Sequence, residues 1–148
     1  MTQRIDLPAL APDFYEAMMG LEKAVHASGI DPTVLELVKI RASQINGCAF
    51  CLDMHSRDAR KGGESQRRLD VLSAWREAPL FTDGEQAALA LTEETTLIAD
   101  AGVTEPVWDN AVKALGEDGA AKVLMAIVTI NVWNRLAVST HQDLPAED

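Results

Sequence analysis

Apolar residues recur at three- and four-residue intervals along most of this 148-residue chain, and helix-stopping signals interrupt them again and again. Phe14, Met18, Leu21 and Val25 follow that spacing over about 12–27 and stop at Ser28-Gly29. Asp31-Pro32 offers an N-cap with proline in the first helical position. It opens a helix over about 32–45 that ends at Asn46-Gly47. A third helix is expected from Cys48 to Gly62-Gly63, and a fourth over about 65–76 behind Ser65. Thr82-Asp-Gly-Glu85 reads as a capping box, starting a helix through Ala88, Leu91, Thr95 and Ile98 to Gly102. Thr104 caps another that carries Val107, Val112 and Leu115, and the last helix covers about 118–140. No run alternates apolar and polar residues as a half-buried strand does. The expected fold is all-α, about six to seven helices in a single domain over 1–148.

Composition narrows the function classes. At 47% hydrophobic residues the chain can build a core, and a net charge of −10 argues against nucleic acid. The charge is uneven: segment 57–76, with Arg57, Arg60, Lys61, Arg67, Arg68 and Arg76, is locally basic. Such an island is either a solvated helix face or an attractor for an acidic partner. The N-terminus lacks the apolar stretch of a signal peptide, and Val123 to Trp133 is shorter than a bilayer span. A cytoplasmic protein with no membrane role is expected. The last helix is apolar nearly all round in its first half, which fits a central position or a subunit interface.

The chain has only two cysteines, three residues apart, in the stretch Glu36-Leu-Val-Lys-Ile-Arg-Ala-Ser-Gln-Ile-Asn-Gly-Cys48-Ala-Phe-Cys51-Leu-Asp-Met-His55. On a helix starting at Cys48, positions 48, 51 and 55 share one face. The helix start favours thiolate over thiol, most of all at Cys48, while His55 lies nearest Cys51. Glu36 shares a face of its own helix with Lys39, Ile40 and Ser43. Folding back at Asn46-Gly47 brings it toward His55, directly or through a water, where a carboxylate orients the ring and raises its basicity. The alternative for Glu36 is a surface pair with Lys39.

This pattern, Glu-x11-Cys-x2-Cys-x3-His with Asn-Gly before the first cysteine, resembles the AhpD-like alkylhydroperoxidases of the carboxymuconolactone decarboxylase superfamily. Ile130-Asn-Val-Trp-Asn-Arg135 is similar to a segment on that family's last helix. The resemblance implies a helical homo-oligomer, commonly a trimer or hexamer. It also implies hydroperoxide reduction through the cysteine pair, renewed by a dithiol donor such as a lipoylated or thioredoxin-like protein. Carried over by position, Cys51 attacks, Cys48 resolves, and His55 and Glu36 relay protons, with no cofactor and no metal. Phe50 stands where the best-known AhpD proteins place a second histidine, and the cysteine pair itself argues against lactone decarboxylation.

Two other readings stay open. One is a non-peroxidatic member of the superfamily: a disulfide reductase, a redox sensor or a decarboxylase/lyase-like enzyme. The other is a zinc-stabilised structural protein with Cys48, Cys51 and His55 as a partial ligand set. Asn131, Asn134 and Arg135 are expected to be buried polar contacts that fix helix packing. Phe50, Met54 and Trp133 are expected in the core or a pocket wall.

Overall fold

The structure, a computed structural model, describes residues 1–146. Among the described residues every regular element is helical. In order they are α1 (Leu7–Leu10), α2 (Pro12–His26), α3 (Pro32–Asn46), α4 (Ala49–Lys61), α5 (Gln66–Asp70), a 3-10 helix (Leu72–Glu77), α6 (Asp83–Thr96), α7 (Ile98–Ala101) and α8 (Glu105–Thr140). The count exceeds the sequence expectation because short pieces were merged or missed. α1 is too short for periodicity to reveal, although Asp6 caps it through the Ala9 N–H. The stretch after Ser65 divides at Val71, and the expected helix to Gly102 breaks at Leu97, just after the β-branched Thr95-Thr96. Phe14, expected on an inward face, is exposed, as is Ile98.

The stronger signals hold. Asp31 accepts from the backbone N–H groups of Thr33 and Val34, and Thr82 with Glu85 forms the full capping box. The two helices expected at the end of the chain run as one element broken at Gly116, whose φ of 76° and ψ of 162° only glycine adopts readily.

α8 is the axis of the fold, with α3 and α6 packed along it and α2 and α4 on its flanks. Val38, Leu91, Ala120, Val123 and Ile127 fill the α3–α6–α8 junction. Leu37, Ile40, Leu72, Trp75, Phe81 and Leu89 close the other side of α3. An 18-residue window of α8 reaches a mean hydropathy of 1.4, so by length and composition alone it could cross a membrane. In the fold α8 packs against α3 and α6, and among the described residues Trp108, Met125, Val128 and Val138 are the large apolar side chains it leaves exposed.

A polar network is threaded through this core. Asn46 at the end of α3 donates to the side-chain oxygens of Asn131 and Asn134, both at 3.0 Å. Asn134 is fully buried and donates in turn to the Ser43 hydroxyl (2.9 Å), which donates to the Lys39 carbonyl. Asn131 donates to Thr96 and to the Ile127 carbonyl, and accepts from Arg135. Asn131 and Asn134 are buried packing contacts, as expected, whereas Arg135 is exposed and reaches Asn131, one turn back on its own helix. On the far side, Glu93 of α6 accepts from Arg41, Trp75 and Arg76. Burial pushes its carboxyl up, but those three donors and the Arg41 charge outweigh it and hold it below the ordinary carboxylate value.

Two outcomes follow from these contacts. Asn134→Ala leaves Ser43 and Asn46 short of partners and should lower unfolding free energy by about 2–4 kcal/mol. Urea titration measures that loss. A folded-state pKa below the unfolded one means that the unfolded chain binds more protons in between, so stability rises with pH through that window. Stability should therefore fall as pH drops below about 4.5 toward the depressed folded value. Glu93→Gln should make that acid limb shallower in denaturation curves recorded across the window.

Candidate active site

The turn between α3 and α4 positions the cysteines. Gly47 takes the left-handed conformation (φ 65°, ψ 35°) that its lack of a side chain permits. The Gly47 N–H donates to the Gln44 carbonyl and the Cys48 N–H to the Ser43 carbonyl, the paired bonds of a Schellman ending. Cys48 then caps the next helix: its Sγ accepts from the Cys51 backbone N–H at 3.3 Å. One residue thus closes α3 and opens α4.

Cys48 and Cys51 are joined as a disulfide. Both are almost fully buried, against Ala137 of α8 and Phe50. Their surroundings differ. Cys51 lines a cavity of about 440 Å³ together with His55, Phe50, Met54 and Trp133, whereas Cys48 lies behind it and does not line the cavity. The floor and rim come from α2, α4 and α8, and the arm before α1 closes one side through Gln3, Ile5 and Asp6. That arm is tied to the end of α8 by Arg4, whose backbone N–H donates to the Thr140 carbonyl and whose guanidinium donates to that of Ser139.

His55 is buried, one helical turn beyond Cys51, and its Nδ1 lies 3.2 Å from Glu36 Oε2. A carboxylate only accepts, so Nδ1 carries the proton and Nε2 is left as the basic nitrogen. Glu36 therefore reaches the ring directly. The alternative pairing with Lys39 is not formed. Lys39 is 2% exposed and turns instead to Glu22 of α2, with Nζ 2.8 Å from Oε1 and 3.2 Å from His26 Nε2. Glu36 also borders a second, smaller cleft of about 220 Å³ with His26 and Asp58. The His55–Glu36 pair thus stands between the larger cavity and a separate opening.

Glu22 was not picked out by sequence reasoning, yet it lines the larger cavity. Burial pushes its carboxyl up, but the Lys39 hydrogen bond and charge, with the Trp133 donor, bring it below the ordinary value. A glutamate four residues before a histidine on one helix was the available signal, and it is a common surface pattern. Three of the six basic residues of segment 57–76 are held in ion pairs within the chain: Arg57 with Asp53, Arg68 with Glu64 and Glu85, and Arg76 with Glu93. In the zinc reading the two sulfurs would face a metal; here they are bonded to each other and His55 faces Glu36. Among the described residues no group of three or more His, Cys, Asp or Glu side chains is arranged to hold a metal ion.

An all-helical fold with a cysteine pair at a helix start, and a His–Glu pair one turn on, defines a helical dithiol protein of the AhpD-like type. The chain belongs to the carboxymuconolactone decarboxylase family, whose model matches residues 12–94. It is 40% identical over 139 residues to the uncharacterized protein YdfG of Bacillus subtilis (strain 168), covering 94% of this chain and 95% of that one. Its fold is similar to that of ATU0492 from Agrobacterium tumefaciens, a protein of unknown function put forward as an antioxidant defence protein AhpD. The TM-score is 0.95 at 36% identity, over 99% of this chain and 100% of that one. The debrominase Bmp8 shares the fold with a TM-score of 0.76 at 21% identity, over 91% of this chain and 73% of that one.

The loop closed by Cys48–Cys51 is short, so chain entropy assigns the disulfide only about 2 kcal/mol of stabilisation. Reduction with dithiothreitol should lower the melting temperature by about 4–8 °C and leave the helical circular dichroism signal intact. A fold that collapsed on reduction would make the disulfide structural.

Proposed function

We propose that this protein is a thiol-dependent hydroperoxide reductase in which Cys51 is the attacking residue, Cys48 the resolving one, and His55 with Glu36 the proton relay. The observation that carries this reading is the asymmetry of the pair: Cys51 lines the cavity beside His55, and Cys48 is sealed behind it as the helix cap.

In the reduced protein His55 Nε2 takes the Cys51 proton, and the thiolate attacks the distal oxygen of the hydroperoxide. The O–O bond breaks, Cys51 becomes a sulfenic acid, and the imidazolium returns its proton to the departing alkoxide to form the alcohol. The Cys48 thiol condenses with the sulfenic acid, releasing water and forming the disulfide. A dithiol donor, such as a lipoylated or thioredoxin-like protein, then attacks Cys51 Sγ, the sulfur that faces the cavity. Cys48 leaves as a thiolate, and the donor's second thiol completes the exchange. The cap suits Cys48 to leaving, because the Cys51 N–H and the helix start stabilise its negative charge. The helix-dipole argument for Cys48 and the cavity argument for Cys51 thus describe different steps.

Phe50 favours a second reading. It lines the cavity where a second imidazole would assist proton transfer, so His55 works alone. Dithiol–disulfide exchange needs less proton traffic than peroxide cleavage, and the same pair would serve as a disulfide reductase. The exposed Met125, Val128 and Val138 on α8 support association into a homo-oligomer, and the acidic composition supports a protein that binds no nucleic acid.

Thiols of the anaerobically reduced protein, titrated before and after one equivalent of cumene hydroperoxide, separate the two. Peroxidase action removes both thiols rapidly. Cys48→Ser should stall at a Cys51 sulfenic acid that dimedone traps, Cys51→Ser should stay inert, and His55→Ala should slow the loss by about 10²–10⁴-fold. Thiols that ignore peroxide but reduce a small disulfide would favour the reductase.

A further inference from the structure

The cavity beside Cys51 carries a chemical preference that the cysteine chemistry does not require. Most of its wall is apolar: Tyr15 and Trp133 meet edge to face with ring centroids 5.6 Å apart, beside Met19, Phe50, Met54 and Leu136, while Gln3, Thr140 and Gln142 add uncharged polar groups. Beside the His55 imidazole it has two carboxylates, Asp6 and Glu22, and among the described residues no lysine or arginine lines it. A carboxyl-bearing ligand would therefore find no cationic partner there.

Glu22 is built in rather than incidental. Oε2 accepts from Trp133 Nε1 at 3.0 Å, and Oε1 lies 2.8 Å from Lys39 Nζ and 3.0 Å from His26 Nε2. Lys39 itself is buried behind the wall and is not part of the lining. The cavity thus meets the negative end of a buried ion pair. A carboxylate has about four acceptor positions, and Lys39, His26 and Trp133 occupy at most three of them. The open position is on Oε2, next to the indole ring that forms the wall.

We propose that Glu22 sets the specificity of this cavity: it admits an uncharged, largely apolar ligand with one O–H or N–H donor, and it rejects ligands that carry a carboxylate. For the reaction proposed above, on which this inference rests for its biological meaning, the substrates are neutral aryl or alkyl hydroperoxides rather than fatty-acid hydroperoxides. A neutral ligand gives up little hydration on entry, and its single donor is satisfied by Oε2. An anion would lose its hydration and face a like charge.

Binding to the disulfide form tests this without any turnover. Isothermal titration compares three molecules of similar shape: 2-phenylpropan-2-ol, its methyl ether, and 2-methyl-2-phenylpropanoate. The alcohol should bind about tenfold more tightly than the ether, which lacks the donor, and more tightly still than the carboxylate. Glu22→Gln leaves the Lys39 charge unbalanced behind the wall and should turn the preference toward the carboxylate. Glu22→Gln combined with Lys39→Met removes both charges and should bring the alcohol and ether close together. Equal binding of all three by the wild-type protein would overturn the proposal, as would an unchanged order in a folded Glu22→Gln variant. If neither variant folds, a wild-type order other than alcohol, ether, carboxylate still overturns the proposal. Thiols inert to every peroxide, alongside the expected binding order, would refute the peroxidase reading and leave the selectivity of Glu22 standing.

Discussion

The position of the cysteine pair depends on how α3 ends. Asn46 is the last residue of that helix, and its amide group is held by two asparagines of α8. One residue later Gly47 reverses the chain, and one after that Cys48 caps α4. Three consecutive residues therefore anchor one helix, turn the chain and place the redox pair. The anchor lies on the same buried helix whose Ala137 packs against both sulfurs. A shift of α3 along α8 would have to break the Asn46 and Asn134 bonds together. Leaving several buried amides unpaired is expensive in a dry interior, so the register of α3 on α8 is sharply defined.

The polar residues of α3 show how one helix serves several neighbours. Glu36, Lys39, Ser43 and Asn46 follow the three- and four-residue spacing of a single stripe. Their partners lie on three different helices: Glu36 meets α4, Lys39 meets α2, and Ser43 and Asn46 meet α8. The two charges of opposite sign, one turn apart, ignore each other. An exposed Glu–Lys pair at this spacing gains only a few tenths of a kcal/mol, whereas a buried lysine without a carboxylate would cost several. Burial therefore decides the pairing, and it leaves Glu36 free to orient His55.

That competition also marks what could be read from the sequence. The helices, the Asp31 and Thr82 caps, the turn at Asn46-Gly47 and the meeting of Glu36 with His55 all rest on local spacing and on one short reversal of the chain. These were legible. The Glu22–Lys39 pair spans seventeen positions between two helices whose crossing no local pattern specifies. The inward side of α2 was misjudged for a related reason. Phe14 continues the apolar spacing, but the core contacts of that helix lie further along, at Val25, and its early turns border the cavity instead. The merged helices 65–76 and 82–102 failed at Val71 and Leu97, where no glycine or proline announces the break.

The cavity joins these strands of the argument. Its wall is built from early turns of α2 and late turns of α8, together with the face of α4 that bears Cys51 and His55. Polar contacts anchor two of these helices: α8 by its asparagines, away from the cavity, and α2 through Glu22 to Lys39 and Trp133, at the cavity wall itself. The rigid part of the site is therefore the dithiol, its imidazole and the Glu22 corner. The arm before α1 is held by the two Arg4 bonds to the end of α8, and it lines one side of the cavity. Variation among relatives that share this fold is accordingly expected in the arm and in the apolar wall, where a change alters what enters. The Ser43–Asn46–Cys48 segment tolerates little change, because it sets where the sulfur stands.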